Sequence, residues 1–377
     1  MKKKILYLIN EDWFFCSHFL DRAKAAHQSG YDVVVVTRVR AHQRDIIDSG
    51  LRLIPFQNDR RSVNPFSELR RLWRLISIYH QERPTLCHHI ALKSVLLGTI
   101  AAKITNVTAI VNAPVGLGYV FSSNNKITYL LRPFVRFALK LFLNPNNSKV
   151  IFENFDDMEY FCKKNYVRRD RSILIRGAGI DLEKFRPVPE PFGKPVILLA
   201  ARMLYDKGVR EFVEAATLLR NQGIDACFKL VGGLDPDNRA AIPEAVLNDW
   251  VAQGLVEWLG HRTDIAQQLA TCHIVCLPSY REGLPKFLLE AAASSRPIVT
   301  TDVPGCREVV LHGDNGLLVP PRDAIHLSKA LKILIESEVL RAKMGERGRR
   351  RSESEFSNNK VITETLCVYQ QSLEVIN

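Results

Sequence analysis

Short apolar runs alternate with longer amphipathic segments along almost the whole chain. Short apolar runs followed by segments of helical periodicity predict buried parallel strands joined by helices. In the amino half the predicted strands are residues 5–9, 32–37, 51–55, 85–90, 109–112, 149–152 and 172–175. The predicted helices between them are residues 17–28, 65–80, 93–104 and 156–165. This is the pattern of a doubly wound α/β domain.

The alternation begins again at residue 196, after a segment that is rich in proline and glycine, residues 187–195. A chain of 377 residues exceeds the size at which one hydrophobic core usually keeps growing. We therefore predict two Rossmann-like α/β domains at residues 1–186 and 196–354, with residues 187–195 as the linker. Residues 355–377 are predicted to end the chain as a helix.

Two carboxylates, Glu282 and Glu290, flank a predicted strand-to-helix turn. Residues 273–277 predict a strand and residues 287–293 a helix, so Gly283 and Leu284 lie in the turn. Such a turn directs backbone N–H groups and the positive end of the helix dipole towards an anion, for example a nucleotide diphosphate. The alternative interpretation is a surface turn with two unrelated acids.

A second predicted strand, residues 196–200, runs into a loop that carries Arg202 and Lys207. The guanidinium group is a planar fork and the ammonium group a compact point charge, and the two complement each other in binding a diphosphate. A solvated basic loop is the alternative.

Two further strand ends carry residues suited to a ligand. Gly232 and Gly233 follow one strand, where missing side chains let the backbone approach a ligand closely. His261 and Arg262 follow another. Open parallel sheets bind ligands at the carboxyl ends of their strands, so the four strand ends together predict one crevice.

These motifs resemble those of a known family, the nucleotide-sugar-dependent retaining glycosyltransferases of family 4, which have the two-domain GT-B architecture. The resemblance covers essentially the whole chain. It implies two domains that face a central crevice, with the last helix crossing back to the first domain. It also implies that Arg202 and Lys207 bind the donor diphosphate, that Glu290 hydrogen-bonds the donor ribose, and that Glu282 lies beside the transferred sugar.

The resemblance also implies the reaction. A sugar, with N-acetylhexosamine as one candidate, moves from a nucleotide-diphosphate donor, expected to be a UDP-sugar, to a lipid-linked glycan in surface polysaccharide or O-antigen assembly. The acceptor hydroxyl attacks from the front face, while the two cations stabilise the leaving diphosphate. A sugar-nucleotide epimerase or hydrolase of the same fold, and a non-catalytic nucleotide-sugar binding protein, are the alternatives.

In the amino half, Asn10, Glu11 and Trp13 follow the first strand, where family members often carry a glycine-rich loop. Because this chain has bulky residues instead, we expect either an acceptor platform or a hydrophobic staple at a helix entry. His88 and His89 end the strand 85–90, and the resemblance places a histidine here near the anomeric centre. Strand alternation points the two imidazoles to opposite faces, so at most one faces the crevice.

The stretch that contains Gly116, Gly118 and Tyr119 resembles a loop of family members that extend polyprenyl-diphosphate-linked glycans, and we expect it to bind the acceptor. The next segment, residues 126–143, is dense in apolar residues and carries Arg132, Arg136 and Lys140 at every fourth position. Such a helix can lie in the headgroup plane of an anionic membrane, the alternative being an ordinary core helix.

The net charge of +12 favours nucleic acid, anionic lipid or phosphorylated substrates as partners. No nucleic-acid-binding signature accompanies it, which leaves lipid and phosphate. The eight cysteines are scattered without a C-x2-C pair, as in a reduced, cytosolic protein. The apolar start is too short for an export signal, and residues 104–125 are too polar to span a bilayer. We predict a cytoplasmic protein, peripherally bound to the inner face of the cytoplasmic membrane.

A D-x-D sequence, Asp235 and Asp237, matches the motif with which metal-dependent transferases of another fold hold a divalent ion. Here it follows two glycines and encloses Pro236, so we assign it to a turn. No metal and no cofactor are predicted.

Overall fold

The computed structural model of the protein describes residues 2–57, 65–115, 126–236 and 238–374. Contacts divide the chain into two units, which are described separately below. The first is Met1–Ala178 with Asn359–Asn377, and the second is Gly179–Asn358. The segment predicted as a linker, residues 187–195, therefore lies within the second unit.

The first unit contains a parallel sheet of seven strands in the order β3-β2-β1-β4-β5-β6-β7, and this order is that of a doubly wound sheet. Its strands are β1 (Lys4–Glu11), β2 (Asp32–Arg38), β3 (Arg52–Pro55), β4 (Leu86–Ile90), β5 (Ala109–Ala113), β6 (Ser148–Phe152) and β7 (Ser172–Leu174). Its helices are α1 (Asp12–His18), α2 (Leu20–Gln28), α3 (Gln43–Ile47), α4 (Pro65–Glu82), α5 (Leu92–Ile104), α6 (Lys126–Phe142) and α7 (Phe155–Lys163).

The helices of the first unit pack on both faces of its sheet. On β1, Tyr7 points to the face that is covered by α1, α2, α3 and the last helix of the chain. Its neighbours Leu6 and Leu8 point to the opposite face, which is covered by α4 and α5. On that same face, α5 packs with α6, α7 and β6 in a further apolar cluster. Both faces of the strands are apolar because both are buried.

The second unit contains a parallel sheet of six strands in the order β10-β9-β8-β11-β12-β13. These strands are β8 (Val196–Ala200), β9 (Cys227–Val231), β10 (Glu257–Trp258), β11 (Ile274–Leu277), β12 (Ile298–Thr301) and β13 (Gly316–Val319). The remaining helices are α8 (Val209–Asn221), α9 (Glu244–Ala252), α10 (Ile265–Ala270), α11 (Lys286–Ala293), α12 (Cys306–Val309), α13 (Ala324–Ile335), α14 (Glu338–Arg351) and α15 (Asn358–Glu374). The two sheets confirm the prediction of two doubly wound α/β domains.

Helix α15 packs in the core of the first unit, where Val361, Val368 and Tyr369 are buried. Before it, the chain lies on the second unit, and the proline-rich segment is bound there by polar contacts. Arg341 forms an ion pair with Glu190, 2.9 Å between Nη2 and Oε2. The carbonyl oxygen of Pro191 lies 2.9 Å from His273 Nε2. The segment is therefore a packed part of the second unit.

Two predicted helices differ from the observed ones. The predicted helix 17–28 is preceded by a separate helix, so that Trp13 lies in α1 and not in a loop. The two helices meet at Phe19, whose φ of −128° and ψ of −13° lie outside the helical region. The apolar and polar pattern of residues 339–355 predicts one helix, but the observed helix α14 changes to a π-helical turn after Arg351, at Ser352–Phe356. Helix α6 was predicted and continues through Pro133.

Packing around His89 makes Gly98 sensitive to substitution. A Cβ added at Gly98, inside α5, would lie 2.6 Å from Cδ2 of the buried His89 ring. We expect Gly98→Ala to lower the free energy of unfolding by about 1–3 kcal/mol, the usual cost of overpacking a core. At Gly348, in α14, an added Cβ would make only ordinary contacts, the nearest at 3.5 Å.

The matched variant Gly348→Ala should be neutral or stabilising, by up to about 1 kcal/mol, because alanine favours the helix. Urea unfolding followed by circular dichroism measures both variants. Equal stability of Gly98→Ala and Gly348→Ala would show that the His89 ring moves to make room for the added methyl group.

Candidate active site

The loop after β8 is held against the end of β11. Gly208, which closes this loop, has a φ of +71°, and a Cβ added there would lie 2.0 Å from the carbonyl oxygen of Pro278. The backbone N–H of Tyr280 donates to the carbonyl oxygen of Asp206 at 2.9 Å. Glycine is thus required at residue 208 by conformation and by space. These contacts bring the loop that carries Lys207 to the turn that carries Glu282.

Lys207 and Glu282 form an ion pair in which Nζ of the lysine donates to Oε1 of the glutamate. Both side chains are largely buried, with 22% and 10% of their surfaces exposed. Behind the turn, a Cβ added at Gly305 would lie 2.3 Å from the carbonyl oxygen of Gly283. The two motifs that the sequence singled out in the second half of the chain are therefore in direct contact.

Arg202 pairs with Asp235 on the neighbouring strand end. Near this ion pair, Gly232 has a φ of +149°. A Cβ added to Gly232 would lie 1.7 Å from the carbonyl oxygen of Ala201. The N–H of Gly232 also donates to the carbonyl oxygen of Gly260 at 2.7 Å. The glycine therefore lets three strand-end loops meet. A Cβ added at Gly233 would lie 3.5 Å from Cβ of His261.

The loop after β10, which carries His261 and Arg262, is exposed. The guanidinium group of Arg262 makes two hydrogen bonds to the carboxylate of Asp264, at 2.9 and 2.8 Å. These bonds hold the pKa of Asp264 well below its usual value. Arg262, predicted to contact the donor, is thus engaged with its own loop, and His261 beside it is exposed.

Helix α11 begins after the turn, and among the described residues no side chain caps its N-terminus. Leu284, predicted as a donor contact, packs into the apolar core, so only its backbone belongs to the turn. Glu290 lies one helical turn further on. Burial raises the pKa of its carboxyl group to about 7, although Lys286 and Lys184 oppose the shift. Glu290 is half-buried, and an acid whose pKa is raised in this way is typical of functional sites.

In the first unit, His88 and His89 point to opposite faces of the sheet, as strand alternation predicts. His88 Nδ1 lies 2.6 Å from Oη of Tyr369, which in turn lies 2.8 Å from Oη of Tyr7. His89 donates through Nδ1 to Asn112 Oδ1 at 2.8 Å.

Both imidazoles are fully buried within the first unit. Burial lowers the pKa of His88 well below its ordinary value, and that of His89 to about 4. Both rings are therefore neutral at physiological pH. Nε2 of His88 is buried without a hydrogen-bond partner among the described residues.

The predicted acceptor residues at the end of β1 have internal partners. Oδ1 of Asn10 accepts a hydrogen bond from Ser94 Oγ at 2.8 Å. Glu11 forms an ion pair with Arg40, 3.1 Å between Nε and Oε2. Trp13 is half-buried. The other acceptor residues, Gly116, Gly118 and Tyr119, lie outside the described residues, as does Asp237.

Sequence analysis missed Asp12. This buried carboxylate accepts hydrogen bonds from four backbone N–H groups, those of Trp13, Arg40, Ala41 and His42, at 2.6–3.0 Å. They lower its pKa although burial alone would raise it. It also missed the pair Glu211 and Tyr280, 2.6 Å between their oxygens, which braces the segment before Glu282. No local signal marked either contact, because the partners are distant in sequence.

Family models match both halves of the chain. Residues 4–154 match the model described as "Glycosyl transferase 4-like", and residues 194–337 match "Glycosyl transferases group 1". The protein is also 31% identical to an N,N'-diacetylbacillosaminyl-diphospho-undecaprenol α-1,3-N-acetylgalactosaminyltransferase of Campylobacter jejuni, across 84% of this chain and 85% of that protein. This chain belongs to the group 1, family-4-like glycosyltransferases, so it is a sugar-transferring enzyme.

A more distant relative is a UDP-Gal:α-D-GlcNAc-diphosphoundecaprenol α-1,3-galactosyltransferase of Escherichia coli, 23% identical over 82% of this chain and 81% of that protein. Among solved structures, Anabaena Alr3699/HepE in complex with UDP superimposes with a TM-score of 0.77 at 19% identity, covering 98% of this chain and 100% of that one. A glycosyltransferase of Rickettsia africae gives the same TM-score over 99% of both chains. The chain therefore has the GT-B fold that its sequence predicts.

Burial of Glu290 links the site to stability. Its pKa is raised from 4.5 to about 7 in the folded state, so protonation favours folding. That stabilisation is complete below pH 4.5 and is lost as the pH rises through about 7. We therefore expect Glu290→Gln to raise the melting temperature at pH 8 and to change it little at pH 4.5.

Differential scanning fluorimetry at the two pH values checks this prediction. Glu308→Gln, which changes an acid on α12, is the matched control for the loss of one carboxylate. If Glu290→Gln lowers the melting temperature at pH 8, its carboxylate is stabilised by a partner in the folded protein.

Proposed function

We propose that this protein is a retaining, metal-independent glycosyltransferase that moves a sugar from a nucleotide-diphosphate donor to a lipid-diphosphate-linked glycan. The observation that carries the proposal is the ion pair of Lys207 with Glu282. It joins, at the carboxyl edge of the second sheet, the cation expected at the donor diphosphate to the carboxylate expected beside the transferred sugar.

The donor side of the proposal follows from charge and geometry. Lys207 has three N–H donors and uses one on Glu282 in the described contacts, so the same ammonium group is suited to bind a phosphate oxygen as well. Arg202 lies on the same loop as Lys207 and forms an ion pair with Asp235. The two cations then oppose the negative charge that grows on the leaving diphosphate.

Glu290 is proposed to accept hydrogen bonds from the donor ribose. Only the ionised carboxylate of Glu290 accepts hydrogen bonds from both ribose hydroxyls with full strength. Burial has raised the pKa of this group to about 7, so binding of the donor must lower that pKa. Isothermal titration with a nucleotide sugar, whose diphosphate does not titrate near neutrality, is the direct test. Glu290→Gln should bind more weakly and should lose the pH dependence that the parent protein shows.

The acceptor side rests on the relatives. The Campylobacter enzyme is named for a diphospho-undecaprenol acceptor, and the Escherichia coli enzyme for a diphosphoundecaprenol acceptor and a UDP-sugar donor. By analogy we propose a polyprenyl-diphosphate-linked acceptor, a UDP-sugar donor and a role in surface polysaccharide assembly. An N-acetylhexosamine is the first sugar to test, because the Campylobacter enzyme transfers N-acetylgalactosamine.

Peripheral binding to the cytoplasmic membrane face is part of the proposal. None of the described helices is long and apolar enough to cross a membrane. Helix α6 nevertheless exposes Phe137 and Leu141, 70% and 49% of their surfaces, beside the exposed cations Arg136 and Lys140. Its buried side packs through Leu139. Cations next to exposed apolar groups suit an interface with anionic lipid.

Removal of either site cation should depress turnover. We expect Arg202→Met and Lys207→Met each to lower kcat by about a hundred- to thousandfold, as the loss of a preorganised charge at a developing anion does. Lys329→Met, an exposed lysine on α13, is the matched control and should leave kcat unchanged. A kcat near that of the parent in a folded variant would exclude the altered residue from the diphosphate site.

Transfer should proceed in excess chelator. Asp235 forms an ion pair with Arg202, and this pairing argues against its carboxylate as a metal ligand. The described residues hold one group of possible metal ligands, Cys16, His42 and Asp45, and it belongs to the first unit. Full activity after exhaustive chelation is the expected result. Activity that returns only with manganese or magnesium, and is abolished by Asp235→Asn, would contradict it.

The basic face of α6 should act on the membrane and not on the donor. Arg136→Gln with Lys140→Gln should weaken binding to anionic vesicles by roughly thirtyfold at low salt, since each of the two basic residues near such a surface contributes about 1 kcal/mol. The control is Lys24→Gln with Arg44→Gln, which removes two exposed cations from α2 and α3 on the other face of the sheet.

Donor affinity should not change in either pair of substitutions. If the α6 variant sediments with anionic vesicles as the parent does, α6 serves only as a core helix.

A further inference from the structure

Helix α4 exposes large apolar side chains along one side. Phe66, Leu69 and Trp73 expose 84%, 53% and 64% of their surfaces. Their spacing of three and four residues places them on one face of the helix. The opposite face packs into the core of the first unit through Leu75 and Tyr79. We call the exposed set of Phe66, Leu69 and Trp73 the α4 stripe.

Cations accompany the α4 stripe. Arg70 and Arg74 are exposed, and each directly follows a residue of the stripe. The two acids of α4 are largely buried and are paired. Glu68 pairs with Arg71 and Lys93, and Glu82 pairs with Lys4 and Arg52. Among the described residues, the exposed side of α4 therefore combines apolar groups with positive charge that no acid pairs with, as interfacial helices do.

The same arrangement recurs on α6. There, Arg136 directly precedes Phe137 and Lys140 directly precedes Leu141, and all four are exposed. Helices α4 and α6 cover the same face of the first sheet, and α5 packs against both of them. On each of these two helices, a pair made of an exposed apolar residue and an adjacent cation recurs after four residues. A single isolated apolar residue would need no explanation, but two matching rows do.

We propose that the α4 stripe inserts into the interface of an anionic bilayer and forms, with α6, one membrane-binding face of the first unit. Tryptophan and phenylalanine are suited to the headgroup region, and the arginines beside them are suited to lipid phosphates. A second copy of the chain fits less well. A symmetric contact through the stripe would bring the arginines of both copies together, and the exposed side of α4 offers no acid to pair with them.

This inference extends the proposed membrane association from α6 to α4, and it does not depend on the identity of donor or acceptor. The inferred contact would fix the orientation of the first unit on the bilayer. Two helices in contact with the bilayer would orient the first unit, whereas one helix would allow it to rotate about that contact. A lipid-linked diphosphate lies at the headgroup level, which is the depth at which interfacial helices bind.

Vesicle flotation tests the inference. The variant Phe66→Ser, Leu69→Ser, Trp73→Ser should bind vesicles of phosphatidylglycerol and phosphatidylcholine about tenfold more weakly than the parent. The matched control, Phe192→Ser, Ile325→Ser, Val339→Ser, removes three exposed apolar side chains from the second unit and should bind as the parent does. Circular dichroism and melting temperature confirm that both variants are folded. Equal binding by the two variants would overturn the inference.

Tryptophan fluorescence provides a second readout that a purely structural role would not affect. Trp73 is exposed, whereas the other three tryptophans, Trp13, Trp250 and Trp258, are partly buried. Lipids with brominated acyl chains should therefore quench the emission of the parent protein, and most of this quenching should be lost in Trp73→Phe. Equal quenching of the parent and Trp73→Phe would place Trp73 outside the bilayer.

Two controls separate the competing explanations. Sedimentation velocity without lipid shows whether the α4 stripe joins two copies. A dimer that the serine variant abolishes, together with unchanged vesicle binding, would overturn the membrane inference. Transfer to a short-chain, water-soluble acceptor should be equal in the parent and the serine variant. If no donor and acceptor support transfer in any variant, the proposed function fails, while the flotation result still decides the inference.

Discussion

The second unit depends on the close approach of two loops at the edge of its sheet, which places Lys207 against Glu282. Each charge is largely withdrawn from water, and each would be costly to bury alone, so the pair is favourable only when both loops are correctly placed. Gly208 and Gly305 permit that placement, because any side chain at either residue would collide with backbone. The residues of the proposed diphosphate site are thereby held at the strand ends.

The second unit also holds a carboxyl group, Glu290, whose ionised form is disfavoured by burial. Burial raises the pKa of Glu290 to about 7, so its negative form is disfavoured in the folded protein. A group whose ionised form is disfavoured in this way is common at functional sites. In the first unit the opposite holds. His88, His89 and Asp12 are buried and satisfied largely by internal partners, which fixes the strand ends and loops around them.

The first unit also presents two helices to its surroundings. The exposed apolar and basic residues of α4 and α6 share one face of the sheet, and helices α2 and α3 cover the other face. The two faces of the first unit therefore differ in their exposed residues. If the proposed bilayer face is correct, α4 and α6 together orient the first unit at a membrane surface.

Much of this protein was predictable from the sequence, because the signals are local. Apolar runs such as β8 match the predicted strand residue for residue, and the motifs around Arg202 and Glu282 lie at strand ends as their spacing indicated. Contacts between distant residues were not predictable. The pairing of Lys207 with Glu282, the core position of Leu284 and the burial of both histidines follow from how strands and helices pack, because side-chain burial and electrostatic environment are set by neighbours that lie far away along the chain.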